Sequence, residues 1–471
     1  MKIVNHVQRY KVRRMVCARE CIGLSYITLV VFLGVQGKDV IAQGRLQSED
    51  GVVVHPYTES DVMQGSPPTD ANLVTRANFQ STHDRLRWAV QHWRELYPTV
   101  AVTRGDAPLY PLPRIHREVV HKALNRLDGS KTTVLEELER LDVDAFVALH
   151  NGSIVSEHYF HGMRPDTPHF LASVNKSIVS TVISTLVADG TLQTEKTIEF
   201  YVPELKNTAY AGAKLGQILN MLSAVEYNYD GDPATFALHE KSIMPEAAHL
   251  GGAVGEQEFI MSLPPRQGFV HGQGMMYKET DPGVLVWAAE KASGKRFQQI
   301  ASERFWSKIG AEFPMEVVVD SQGHWTFHIS AAARDLARWS QMLLSGGSVN
   351  GQQVVPVEFI DRIRTEASVE RLKNSPLTGE LFPAGVGYGN FFYRDTRNHD
   401  ALAAAGAFGQ FCYVSPKHSV ALVILSSADG WEERLQAGMK FEDLFAEDVA
   451  IEADRWHLCR EICMLISDSE D

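Results

Sequence analysis

The sequence predicts a mixed α/β protein of the α+β kind: an antiparallel sheet flanked by helices, with a mainly helical region beside it. Three observations carry this expectation. Residues 144–160 alternate like strands and break at Asn151-Gly152, a two-residue hairpin signal. Strand-like text returns near the other end of the chain, at 386–394, 409–416 and 419–427. Between them lie helical periodicities and a stretch, 225–320, rich in glycine, proline and aromatic residues. A sheet assembled from both ends with a helical insert satisfies all three. The expected division is a leader or extension at 1–60, a discontinuous sheet domain at 61–190 and 325–450, a mainly helical domain at 191–324, and a tail at 451–471.

Gross composition restricts the function classes. With 471 residues, 44% of them hydrophobic and 22% charged, the chain can bury one large core or two moderate ones. Its formal charge of -13 argues against general nucleic-acid binding, which needs a basic footprint. The five cysteines, Cys17, Cys21, Cys412, Cys459 and Cys463, imply no disulfide framework. Cys17/Cys21 and Cys459/Cys463 lack the spacing and the histidines of a zinc site, so ordinary thiols are expected.

Taken in order, residues 1–20 are basic, and an apolar run of about fourteen residues, Ile22 to Val35, is too short to span a bilayer. Val40-Ile41-Ala42 then offers a cleavage point, so residues 1–42 resemble a secretory signal peptide with a long basic start. Export to the periplasm or medium is the resulting expectation. A disordered extension of a cytoplasmic protein is the alternative. Residues 43–70 read as a linker or outer arm. Leu86, Trp88, Ala89, Trp93 and Leu96 recur at roughly helical spacing, with the tryptophans expected to pack. Residues 100–118 read as a loop.

Thr133 is a helix cap, with Glu136 as its capping-box partner ahead of Val134, Leu135, Leu138 and Leu141. After the 144–160 hairpin, Ile178, Val179, Val182, Ile183, Leu186 and Val187 predict a buried helix that stops at Asp189-Gly190. Leu215, Ile218, Leu219 and Leu222 predict another helix. A further helix resumes at Pro282 and stops at Ser293-Gly294. Residues 327–347 pass from a short strand into a helix with Asp335 near its amino end, the favourable end for an acid. VGYGNFFYR, 386–394, reads as one strand, and a Pro416-Lys417 turn joins the last two. A final amphipathic helix is expected up to about Val449, and the acidic tail after it, which carries Cys459 and Cys463, reads as a separate short terminal helix without a catalytic role.

The chemistry centres on FLASVNKSIVS, 170–180. Ser173 and Lys176 stand three apart at the opening of the buried helix, hence on one face. A serine hydroxyl is a poor nucleophile until a base takes its proton. A lysine amine one turn away can do so where its surroundings lower its pKa. The helix amino end adds backbone N–H groups that favour developing negative charge. The same residues also fit a cap serine followed by a solvent-facing lysine, so the four-residue pattern needs support from elsewhere.

That support comes from a resemblance. Residues 73–102, 144–190, 201–233, 271–294 and 401–427 together resemble the serine hydrolases related to class C β-lactamases and penicillin-binding proteins, and within them the branch of 6-aminohexanoate-dimer (nylon-oligomer) hydrolases. The likeness covers roughly 61–450. It implies the β-lactamase/transpeptidase-like fold, with the site between the sheet and helical domains. It implies Ser173 as acylated nucleophile and Lys176 as its proton acceptor. The family's Y-x-N or Y-x-S motif lands on Tyr277-Lys278-Glu279, making Tyr277 the phenolic proton shuttle. Glu279 departs from that pattern and is assigned to the substrate face. The third motif, K-T-G in many relatives, lands on Gly406-Ala407-Phe408-Gly409-Gln410, which holds no lysine or histidine. Gly406 and Gly409 would allow close substrate approach, and the N–H of Ala407 or Phe408 would join that of Ser173 in an oxyanion hole. Tyr229 is the candidate for a tyrosine touching the scissile amide.

The expected function is hydrolysis of a small-molecule amide or ester through a Ser-Lys-Tyr acyl-enzyme, with no nucleic-acid partner and no stable membrane span. The acyl-enzyme chemistry that the resemblance implies requires no metal or organic cofactor. Rival readings are an esterase, a D-aminopeptidase-like enzyme, a true β-lactamase, or a catalytically silent penicillin-binding-like protein. The missing cation at 406–410 counts against the β-lactamase.

Overall fold

The Asn151-Gly152 turn is the root of the main sheet. In a computed structural model describing residues 46–47, 51–58, 60–227, 234–244, 249, 251–376, 378–428, 434 and 438–468, both turn residues are left-handed, with φ of 50° and 80°. That twist matches the flanking strands and sets their register. Residues 44–471 form one compact unit. The expected signal peptide, 1–42, lies outside the described residues. Among those described, no helix is long and apolar enough to cross a membrane.

In chain order the strands of the two larger sheets are β1 (Leu46–Gln47), β2 (Val53–Val54), β3 (Thr99–Val102), β4 (Val143–His150), β5 (Ser153–Tyr159), β6 (His169–Phe170), β7 (Met315–Val319), β8 (Trp325–Ala331), β9 (Val386–Gly389), β10 (Phe392–Asp395), β11 (Ala401–Gly406), β12 (Gln410–Ser415) and β13 (Val420–Ser426). The main sheet runs β1-β2-β5-β4-β13-β12-β11-β10-β9. All its pairings are antiparallel except β2 with β5. The two ends of the chain meet at its centre, where Val420 faces His150 and Ile424 faces Phe146. A smaller sheet runs β3-β7-β8-β6. The boundary expected at 324 falls between β7 and β8.

The helices that bear on the site are α1 (His83–Gln91), α2 (Val134–Arg140), α3 (Val174–Ala188), α4 (Thr280–Ser293), α5 (Ala333–Leu344) and α6 (Phe441–Ser467). The Thr133 capping box opens α2 as the sequence predicts. The period-two alternation of β12 splits the core between two helices. Cys412 and Val414 join Trp339 and Leu343 of α5, whereas Phe411 and Tyr413 meet Trp456 of α6. Cys412, Cys459 and Cys463 are buried free thiols in these layers.

Helix α3 is buried from Val174 to Leu186, polar positions included. Three of its hydroxyls bond back to helix carbonyls: Thr181 donates to Ser177, Ser184 to Thr181 and Thr185 to Val182. It packs against α4 and against β8, β11 and β12, so the residues at its amino end face the junction of both sheets with α4.

Four expectations need correction. The stretch 386–394 is a hairpin, not one strand: Asn390 and Phe391 turn with φ of 50° and 61°. Asparagine takes that conformation readily and phenylalanine rarely, so Gly389-Asn390 is the only local signal of the turn. Tertiary bonds hold it: Ser177 Oγ donates to the Phe391 carbonyl, and the Asn390 N–H donates to Asn220 Oδ1. The helix placed at 215–222 ends at Leu219, with Met221 left-handed. Helix α4 starts at Thr280 because Pro282 is tolerated in a first turn, and Gly294 closes it in the left-handed conformation. The last helix continues through most of the expected tail to Ser467, because Trp456, Cys459, Ile462, Cys463 and Ile466 form a buried helical stripe. Of the residues before Lys440 assigned to that helix, all but Arg434, Gly438 and Met439 lie outside the described ones.

Candidate active site

Ser173 caps α3 directly after β6, and the residue before it, Ala172, has φ of +43°. A non-glycine residue in the left-handed region is costly and persists where surrounding contacts fix it. Here the Leu171 N–H donates to the Ile329 carbonyl and the Val174 N–H donates back to Leu171. The sharp turn brings Ser173 to the start of the helix, next to Gly406 at the end of β11.

Lys176, one turn on, does not face solvent; it is 1% exposed. Its Nζ donates to Ser173 Oγ at 2.9 Å and to Glu279 Oε2 at 2.5 Å. It also stands over the Tyr277 ring, 4.7 Å from the centroid. Burial pushes the Lys176 pKa down, and the Glu279 carboxylate pulls against that shift without cancelling it.

Tyr277 is 8% exposed, and its phenol is hydrogen-bonded with Ser173 and with Tyr393. Burial, and then the Glu279 charge, push its pKa far above the ordinary tyrosine value. Tyr277 is therefore a neutral phenol at physiological pH, available as a donor. Glu279, placed by the sequence at the substrate face, is 4% exposed and its carboxylate meets Lys176.

The glycine-rich segment forms a tight turn, 407–409, between β11 and β12, with Phe408 left-handed at φ +63°. A Cβ on Gly406 would reach 2.8 Å from the Ser173 nitrogen, so the two backbones touch. A Cβ on Gly409 would meet the Arg455 guanidinium of α6 at 2.8 Å. The segment holds no cation of its own, but α6 brings one against it. Phe408 lies 6.5 Å from Phe170, whose ring stacks on Trp93. Tyr229 lies outside the described residues; the nearby Tyr227 is buried and pairs with His239.

Two tyrosines at the site escaped sequence reasoning. Tyr388 and Tyr393 face each other across the β9–β10 hairpin, with rings 4.7 Å apart, and Tyr388 lies 5.8 Å from Tyr277. Their pairing depends on the Asn390-Phe391 turn, for which Gly389-Asn390 is the available sequence signal. Arg455 was missed because its helix was taken to end sooner. Among the described residues, no group of three or more His, Cys, Asp or Glu side chains could hold a metal.

Comparison with known proteins matches residues 135–446 to the Beta-lactamase family. A 6-aminohexanoate-dimer hydrolase from Paenarthrobacter ureafaciens is 29% identical over 377 residues, covering 79% of this chain and 91% of the relative. A solved structure from Bacillus anthracis, described as a candidate 6-aminohexanoate-dimer hydrolase, superposes with a TM-score of 0.69 at 28% identity. It covers 82% of this chain, which in turn covers 98% of it.

Proposed function

The chain belongs to the beta-lactamase family and is a hydrolase of the serine acyl-enzyme type, and on that premise we propose that Ser173, Lys176 and Tyr277 cleave an amide or ester bond of a small molecule. The observation that carries this reading is the convergence on Ser173 Oγ of the Lys176 amine, at 2.9 Å, and the Tyr277 phenol. Ser173 attacks the carbonyl carbon and gives up its proton toward Lys176. The carbonyl oxygen takes the negative charge and is held by the Ser173 N–H and by that of Ala407 or Phe408. The contact between Gly406 and the Ser173 backbone supports this pairing of donors.

Tyr277 supplies the proton to the leaving nitrogen or oxygen. Its raised pKa disfavours a phenolate, so the group enters this step protonated. Water then attacks the acyl carbonyl, its proton restores the Tyr277 phenol, and the serine proton returns from Lys176 as the bond to Ser173 Oγ breaks. The name of the Paenarthrobacter relative favours a short linear amide as substrate. The test is a panel of linear amides, p-nitrophenyl esters and a chromogenic cephalosporin, with Ser173→Ala as control and a fluorophosphonate adduct mapped by mass. Turnover of amides or esters that disappears in the variant is expected. Undiminished turnover by Ser173→Ala overturns the assignment, and acylation without turnover points to a silent penicillin-binding-like protein.

A further inference from the structure

Lys176 is enclosed between two partners, Ser173 Oγ at 2.9 Å on one side and Glu279 Oε2 at 2.5 Å on the other. In its ammonium form, which the Glu279 carboxylate favours, a lysine has three N–H donors and no lone pair. In that state it cannot take the serine proton unless it first, or simultaneously, gives one away. Of the groups at the site, Ser173 caps α3, Tyr277 and Glu279 lie in the segment before α4, and Tyr388 and Tyr393, which meet Tyr277, belong to β9 and β10. Lys278 and Asp281 lie beside the same segment, where Lys278 donates to Ser223 and Asp281 accepts from Ser223 and Tyr210. Glu279 is the carboxylate in contact with the amine.

We propose that Glu279 is the proton-accepting partner of Lys176, so that serine activation runs along a Ser173–Lys176–Glu279 relay. The proposal rests on the function assigned above and extends it. As the Ser173 Oγ–carbon bond forms, the Oγ–H bond breaks and the carbonyl π pair moves onto oxygen. The serine proton passes to Lys176 Nζ, and one Nζ proton passes to Glu279 Oε2. Ammonium plus carboxylate becomes ammonium plus carboxylic acid beside an oxyanion, so the net charge is unchanged. The relay keeps a cation beside the developing oxyanion and neutralises the anion that would repel it. The burial that drives Lys176 toward the neutral amine makes the transfer to Glu279 less costly. On acyl-enzyme hydrolysis the two protons return by the same path.

The test is Glu279→Gln, which keeps shape and removes the acceptor, read as kcat and KM between about pH 6 and about pH 10. The relay predicts a kcat loss of at least ~100-fold at every pH, with KM within about threefold of the parent. A counter-charge that only tunes Lys176 predicts the opposite. The unopposed burial would lower the amine pKa further, and wild-type kcat would return at some pH; that result overturns the proposal. A measurement on the unaltered protein guards against a variant that fails to fold. With acylation rate-limiting, the relay moves two protons, so kcat should fall as a curve with deuterium fraction in mixed H2O and D2O. A straight line overturns it. Retained activity in Ser173→Ala would instead reject the underlying assignment, which keeps the two failures apart.

Discussion

Gly406 packs directly on the backbone of Ser173: a Cβ at 406 would stand 2.8 Å from the Ser173 nitrogen and 2.7 Å from the Leu171 carbonyl oxygen. Both contacts are with backbone, which cannot swing aside as a side chain would. Gly406→Ala must therefore push the β11 end and the Ser173 turn apart. A displacement of about 1 Å at a reacting centre can cost on the order of 100-fold. The expected outcome is a kcat loss of that order with the fold retained, checked by steady-state kinetics beside circular dichroism. An unchanged kcat would mean that the closeness of these backbones is immaterial to the reaction.

Tyr277→Phe removes the phenol that bonds Ser173 and Tyr393 but keeps the ring under Lys176. Amide cleavage must protonate a poor leaving group, whereas a nitrophenolate leaves without a proton. Amide turnover should fall by ~100-fold or more, and nitrophenyl ester turnover by much less. Parallel assays of both substrates check this, and equal losses would remove Tyr277 from leaving-group protonation.

Lys278 and Asp281, 3.6 Å apart and fully buried, sit behind the Tyr277 segment. Burial drives the Lys278 pKa down and the Asp281 pKa up, although each charge favours the other. Removing one partner leaves the other uncompensated, which typically costs about 3–5 kcal/mol. Lys278→Met should therefore lower stability by about that amount in chemical denaturation, and adding Asp281→Asn should restore part of it. A single variant as stable as the parent would show that the pair adds nothing to the fold.

His324 and Asp320 make a pH-dependent brace at the turn between β7 and β8, 3.2 Å apart. The Asp320 hydrogen bond raises the His324 pKa against the opposing effect of burial. Burial alone would push Asp320 up, but His324 and the Glu256 and His324 N–H groups hold it below the usual carboxylate range. A histidine raised on folding gives stability that is full below its unfolded value, about 6.5, and lost as pH rises through the folded value. The melting temperature of the parent should exceed that of His324→Gln most near pH 6, and the gap should close toward about pH 9. A gap that is constant with pH would assign the histidine a packing role alone.

The sequence by itself determined what depends on near neighbours. Asn151-Gly152 announces its turn, Thr133 and Glu136 announce their capping box, and Ser173 with Lys176 announce a shared helical face. Each is a matter of spacing and backbone preference within a few residues. Tertiary structure alone decided which distant groups meet that face. Glu279 reaches Lys176 across 103 positions of chain, and Tyr393 reaches Tyr277 through a turn held by tertiary bonds to Ser177 and Asn220. Arg455 comes to Gly409 on one continuous helix, where the text reads as two separate ones. Local periodicity fixes an element and its buried side, but the pairing of one element's end with another's is set by how the sheet, α3, α4 and α6 fill a common core.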